Sequence, residues 1–280
     1  VAAPAKPLRP RAPRGAVVVA ALLALGALAY LAVVWQPSGL DRLHAGAPRA
    51  DLTGAGTSAE VPVSAVPLRL AVAPVVSPEE SLQLYEDLAK HLGRALGRPG
   101  VLLLRPSYAE VNLLVRQRAC DVALVCTWAF IQGERDFGMQ AIVVPVVDGH
   151  TTYRSFIVVP KDSSATSLLD LGGLRFGSAD LMSTSGWLWA ALQVKKSGDD
   201  PDAFFGKHVV TGSHDRSVWA VASGLIDAAA VDSLVYEQVT AKHTTVRLGT
   251  KVVHMSEPFG NPPLVVHPSL DPSTRATVIA

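Results

Sequence analysis

From Leu68 onward, short apolar runs alternate with amphipathic stretches, and this rhythm restricts the fold more than any other feature of the chain. "LRLAVA" at Leu68 reads as a strand. "SPEESLQLYEDLAKHLGRAL" follows as a helix, with Ser77 as N-cap, Pro78 at the first helical position and Glu80 completing a capping box. Next come the strand "VLLLR", a helix over Tyr108 to Arg118, the strand "DVALV" and a helix over Trp128 to Arg135. Two apolar β runs, "AIVVPVV" and "YRSFIVVP", stand mid-chain. The alternation resumes with "LRFGS", a helix over Ser183 to Lys195, "HVV", a helix over His214 to Ser223, "DAAAV" and a helix over Leu234 to Thr240. Strands joined through helices need crossover connections, so the pattern implies an α/β fold with parallel sheets covered by helices.

Ahead of this region, Lys6, Arg9, Arg11 and Arg14 make residues 1–15 a basic flank. Residues 16–35, "AVVVAALLALGALAYLAVVW", are uncharged and about 20 long, enough to cross a bilayer once. The basic flank should stay in the cytoplasm, with the rest of the chain outside. Two readings stand: an uncleaved transmembrane anchor, or a signal segment cleaved near "AGA" at Ala45 to Ala47. The length of the apolar run favours the anchor. With no cysteine nearby, a lipid-anchored lipoprotein is excluded. Residues 36–67 are rich in Ala, Gly, Pro and Ser and read as a flexible linker.

With 280 residues, 49% of them hydrophobic, the chain can bury one or two real cores. Its net charge of +1, without a basic stripe, argues against a nucleic-acid partner. Cys120 and Cys126 flank one strand, too far apart for a disulfide, and read as buried thiols. No Cys/His spacing points to a metal, and nothing points to a cofactor.

Two features point to a ligand. "CDVALVCTWAF" from Cys120 and "IDAAAVDSLVY" from Ile226 pair Asp121 with Asp227 and Thr127 with Ser233, as in two lobes of similar build. Ligands of open α/β sheets bind beyond the carboxyl ends of strands, so Cys126-Thr127 and Asp232-Ser233 should face one crevice. The second feature is "STSG", where Ser183, Thr184, Ser185 and Gly186 open a helix. Free backbone N–H groups, the positive dipole end and three hydroxyls suit a tetrahedral oxyanion. An ordinary Ser/Thr N-cap is the plainer alternative. His214 and Asp232 could likewise be helix caps, Tyr108 half-buried packing, and Trp187 and Trp189 core.

"STSG", "GSHDRSVWAVASGLIDAAAVDS" and "RPSYAEVNLLVRQRACDVALV" resemble the phosphate/phosphite/phosphonate-binding proteins of ABC importers, a branch of the type 2 periplasmic binding proteins. The resemblance runs from about Leu68 to the C-terminus. It implies two lobes joined by a hinge: lobe 1 over 68–152, lobe 2 over 153–252, and a return to lobe 1 over 253–280. It also implies further helix beyond Ala280. The oxyanion would be bound by Ser183, Thr184 and Ser185, with Gly186 allowing close approach, and by His214, Asp232 and Tyr108. Phe130 stands where the family has a second tyrosine, and Ala190 where it often has proline. Trp128 and Phe130 would cover an alkyl or P–H face, favouring a ligand with an apolar substituent on phosphorus.

The resulting expectation is an extracytoplasmic solute-binding protein, not an enzyme. It would be held at the inner membrane by its N-terminal helix, with the binding domain in the periplasm or outside the cell. Its partners would be a small phosphorus oxyanion (phosphonate, phosphite or phosphate) and an ABC transporter permease. A membrane-anchored sensor domain signalling to a partner is the alternative. Ser185, His214 and Asp232 also suggest a hydrolase triad, but no Gly-x-Ser-x-Gly elbow accompanies them.

Overall fold

The computed structural model describes residues 66–280. The basic flank, the expected membrane segment and the linker up to residue 65 lie outside the described residues. Among the described residues, no helix is long and apolar enough to cross a membrane.

In chain order the elements begin β1 (Leu68–Val72), α1 (Pro78–Ala95), β2 (Gly100–Leu104), α2 (Tyr108–Arg116), β3 (Val122–Leu124), α3 (Thr127–Phe137) and β4 (Gln140–Val143). After β5 (Thr152–Tyr153) and β6 (Ser155–Pro160) come β7 (Arg175–Ser178), α4 (Trp189–Lys196), α5 (Pro201–Phe204), β8 (Lys207–Val210) and α6 (His214–Ala222). The chain finishes with β9 (Ala228–Asp232), α7 (Ser233–Lys242), α8 (Thr244–Gly249), β10 (Thr250–Met255), β11 (Phe259–Gly260), β12 (Leu264–Val266) and α9 (Pro272–Ile279).

These strands form two five-stranded sheets. The first has the order β2-β1-β3-β12-β4, with β1 parallel to β2 and β3 and β12 antiparallel to β3 and β4. The second has the order β10-β6-β9-β7-β8, with β7 parallel to β8 and β9 and β6 antiparallel to β9 and β10. With β1 and β7 taken as first, and β12 and β6 set aside as antiparallel inserts, each sheet reads second, first, third, insert, fourth. The antiparallel pair β5–β11 lies where the chain crosses between sheets.

The likeness of the halves extends to side chains. The Arg69 N–H and guanidinium both donate to Asp121, the N–H at 2.8 Å, tying β1 to the turn before β3. Arg175 does the same to Asp227, also at 2.8 Å, tying β7 to the turn before β9. Each pair spans 52 residues. The interval from Arg69 to Arg175 also separates Ser77 from Ser183, Tyr108 from His214, Cys126 from Asp232 and Thr127 from Ser233. Thr127 Oγ1 donates to the Gly260 carbonyl in β11 at 2.8 Å, and Ser233 Oγ accepts the Arg154 N–H beside β5 at 3.0 Å. Both helices are thereby tied to the crossing strands.

Several expectations shift. Pro145 stops the first β run, so β4 ends at Val143, and the second run breaks at Arg154 into β5 and β6. Helix α2 ends at Arg116 because Arg118 turns to φ 56°. Ser77 is the N-cap of α1, but its side chain makes no cap bond; its own N–H is taken by Asp215 Oδ1 at 2.9 Å, the place a capping-box carboxylate would fill. Strand β10 pairs with β6 in the second sheet as far as Met255.

The inner strands β1, β6 and β9 are buried along nearly their whole length, as in sheets covered on both faces, whereas β2, β4, β8 and β10 are partly exposed. One apolar cluster joins Ala71, Val111 and Val125 of the first half to Val158, Val218 and Val231 of the second. Helices α2, α3, α6 and α7 all start just after the carboxyl ends of strands, so their N-termini face the space between the sheets.

Candidate functional site

The "STSG" turn opens a helix, but its first turn is π-helical over Thr184–Leu188 and becomes α only at Trp189. Ser183 is its N-cap, and Ser183 Oγ accepts the Gly186 N–H at 3.0 Å. Single π turns widen a helix locally and gather at functional sites. A Cβ on Gly186 would stand 2.8 Å from Ser183 Oγ and 3.0 Å from His214 Cε1, so glycine lets the imidazole close against the turn.

His214 is fully engaged. Its Nδ1 accepts the Asp232 N–H at 3.0 Å, which leaves Nε2 as the protonated nitrogen. Nε2 in turn lies 3.2 Å from Ser183 Oγ and donates to it. Burial holds the imidazole neutral, its pKa lowered to about 3. Ser183 Oγ therefore accepts from both Gly186 and His214, and its own hydroxyl hydrogen remains to be donated.

Asp232 is the N-cap of α7: its Oδ1 accepts the N–H groups of Leu234 at 2.9 Å and Val235 at 3.4 Å. Burial still raises its pKa to about 7 against those bonds. Its carboxylate does not hold His214; its backbone does. A Ser–His–Asp relay is consequently not formed, since Nε2 carries a proton and faces Ser183 rather than Ser185.

Around this core, Ser185 Oγ, Tyr108 Oη and Ser213 Oγ are buried without a hydrogen-bond partner among the described residues. A buried unpaired polar group costs about 1–3 kcal/mol, so each calls for an explanation. Tyr108 is 0% exposed, and its N–H donates to Asp180 Oδ2 at 3.1 Å. Burial pushes its phenol well above the ordinary range, reinforced by Cys126, Asp180, Tyr153 and Asp232 close by. Thr184 joins the two halves: its Oγ1 accepts the Trp128 N–H at 2.8 Å and its N–H donates to Cys126 Sγ at 3.3 Å.

The structure thus links Ser183, Gly186, His214 and Asp232 in one network and joins Thr184 to Trp128. Ser185 and Tyr108 contribute unpartnered hydroxyls. Phe130 stands apart from this network, its ring half-buried against the apolar cluster and its N–H bound to the Cys126 carbonyl. Trp187 stacks on His208 and Trp189 packs against His254, as core residues do. Sequence reasoning placed Cys126 at the crevice but missed Asp180, Tyr153 and Ser213 as site neighbours. Ser213 carried a signal, standing just before His214; the others are brought in by contacts between distant segments.

Beyond Asp232 a groove of about 630 Å³ opens between α1 and α7, lined among others by Tyr85, Asp148, Leu234, Glu237 and Pro262. Burial, with the Asp232 charge adding to it, pushes the Tyr85 phenol up to about 12. Asp232, whose N–H holds His214, also lines this groove.

Solved structures repeat the fold. A binding-protein component of an ABC phosphonate transporter from Pseudomonas aeruginosa is 23% identical, with a TM-score of 0.67 over 75% of this chain and 72% of that chain. PhnD1 from Prochlorococcus marinus, solved with methylphosphonate, is 21% identical, with a TM-score of 0.67 over 76% and 82%. A histidine kinase sensor domain with similarity to periplasmic binding proteins is 15% identical, with a TM-score of 0.52 over 77% and 88%. The family model for the periplasmic substrate-binding protein of phosphonate ABC transporters matches residues 70–280. Because that match spans well over half of the chain, the protein belongs to the family of periplasmic phosphonate-binding proteins of ABC transporters.

Proposed function

We propose that the two lobes close over a phosphonate and deliver it to an importer permease, with no bond made or broken. The observation that carries this reading is the set of hydroxyls left with hydrogens to donate: Ser183, fixed by His214 and Gly186, and the unpartnered Ser185, Tyr108 and Ser213. Donors without a local cation suit an oxyanion held by oriented dipoles. His214 acts through Ser183 as a positioning residue. The substituent on phosphorus extends past Asp232 into the α1–α7 groove. There Asp148 and Glu237 have no cationic partner among the described residues, whereas Glu80 pairs with Lys242. That charge favours an aminoalkyl substituent over a second anion.

Calorimetric titration of the full chain in detergent tests the reading, using methylphosphonate, an aminoalkylphosphonate, phosphite and phosphate. Binding of a phosphonate at one site per chain is the expected result. Silence with all four ligands overturns it.

A second reading rests on the shared fold of the histidine kinase sensor domain. In it the same closure signals to a membrane partner through an N-terminal anchor. A permease and an ATPase encoded beside the gene favour import, and a neighbouring kinase favours sensing.

A further inference from the structure

The equivalent positions Cys126 and Asp232 each stand at the N-cap of the helix that follows the third strand of a sheet. Asp232 caps its own helix. Cys126 does not: its side chain makes no cap bond to α3. The first N–H groups of a helix have no partner within it and must find one elsewhere. For α3 that partner comes from the other half of the molecule, where Thr184 Oγ1 accepts the Trp128 N–H at 2.8 Å. The exchange is mutual, because the Thr184 N–H, itself at a helix start, donates to Cys126 Sγ at 3.3 Å. Sγ and Thr184 Oγ1 lie 3.4 Å apart. The pair has the logic of a capping box, two side chains each satisfying the other's orphan N–H, but shared between two lobes.

We infer that Cys126 is a positioning residue for the ligand turn: by leaving α3 uncapped it gives the Trp128 N–H to Thr184, and this reciprocal cap latches the two lobes together. The inference rests on the phosphonate-binding reading, since Thr184 lies between the ligand hydroxyls Ser183 and Ser185. Tyr108 Oη, buried and unpartnered, belongs to the same neighbourhood, so the latch stands beside the ligand. A stronger cap at position 126 breaks the latch. Serine or aspartate there bonds the α3 N–H groups in cis, as Asp232 does on α7, and Thr184 loses its partner. Aspartate also adds a second buried carboxylate facing the oxyanion.

Thiol labelling of the full chain reads the latch directly. Cys126 is 2% exposed behind Thr184, whereas Cys120 lies before the other end of β3 with its thiol pushed up to about 12 by burial. In Thr184→Val, iodoacetamide should label Cys126 on the order of tenfold faster, about 1.4 kcal/mol of latch opening, with Cys120 unchanged. Thr184→Ser, which keeps the hydroxyl, should restore slow labelling. Cys126→Ser should release methylphosphonate faster at a nearly unchanged association rate, and Cys126→Asp should both release it faster and bind it more slowly, with circular dichroism reporting the fold. Unchanged Cys126 labelling in folded Thr184→Val overturns the latch, with or without ligand. Faster labelling in a chain that binds no oxyanion leaves the latch standing and removes the phosphonate reading instead.

Discussion

Asp232 holds His214 through its backbone N–H at 3.0 Å and keeps its carboxylate for the first turn of α7. The two buried groups therefore titrate away from each other, the imidazole down to about 3 and the carboxyl up to about 7, both chiefly by burial. A protonated Asp232 can lie beside an oxyanion, and an ionised one repels it. Methylphosphonate affinity should weaken as pH rises through about 7, beyond any change caused by the ligand's own titration. Asp232→Asn, which keeps the cap, should flatten that extra dependence. Titrations at several pH values on both proteins check this; parallel profiles refute it.

The same shifts fix the sign for stability. Asp232, raised in the fold, stabilises fully below its unfolded value and loses that contribution as pH rises through about 7. His214, depressed in the fold, adds no penalty above its ordinary 6.5 and an increasing one as pH falls toward about 3. Between roughly pH 4 and 6.5 folded and unfolded states bind the same number of protons from this pair, so its two slopes cancel. Asp232→Asn leaves only the histidine slope. The variant's advantage over the parent should grow from about pH 4 to 7 in urea unfolding.

Ser183 and Ser185 should separate cleanly by mutation. Ser185 Oγ has no partner among the described residues, so Ser185→Ala should leave thermal stability unchanged or slightly raised while weakening oxyanion binding by about 1–3 kcal/mol. Ser183→Ala removes the cap on Gly186 and strands His214 Nε2, so it should lose about 1–2 kcal/mol of stability as well as affinity. Thermal melts and titrations on both variants decide. Equal loss of stability in the two would mean that Ser185 is structural.

The groove makes its own test. Asp148→Asn with Glu237→Gln should weaken an aminoalkylphosphonate several-fold more than methylphosphonate, because only the longer ligand reaches past Asp232. Equal effects on both ligands would remove the groove from the site.

Much of this was legible because the signals are local. Strand and helix order follows from apolar runs and breakers, and Ser183 at a helix start follows from its neighbours. The π turn was not legible, since the sequence from Ser183 to Lys195 reads as one continuous helix. Asp215 bonding Ser77, Asp180 bonding Tyr108 and Thr184 bonding Trp128 each join segments far apart in the chain, and such pairs leave no pattern in either segment. Cys126 reads as a buried thiol at the crevice, and its exchange of bonds with Thr184 is hidden for the same reason. Asp121 and Asp227 are matched by local pattern alone, and the structure supplies the cause: Asp121 anchors Arg69 of β1 and Asp227 anchors Arg175 of β7.

Gly186 offers the sharpest steric test. Its added Cβ would meet Ser183 Oγ at 2.8 Å, His214 Cε1 at 3.0 Å and Ser183 Cβ at 3.1 Å. Neither neighbour can yield easily, because Ser183 is bonded to Gly186 and His214, and His214 is pinned by the Asp232 N–H. Alanine gains about 1 kcal/mol of helix propensity over glycine, but overpacking a closed site costs about 1–3 kcal/mol. Gly186→Ala should therefore lower the melting temperature and weaken oxyanion binding together, by pushing Ser183 and His214 apart. Gly249, at the end of α8, has nothing within 4 Å of its added Cβ. Gly249→Ala should be neutral or mildly stabilising, with affinity unchanged. A Gly186→Ala protein that melts and binds like the parent would show that the imidazole does not need this close approach.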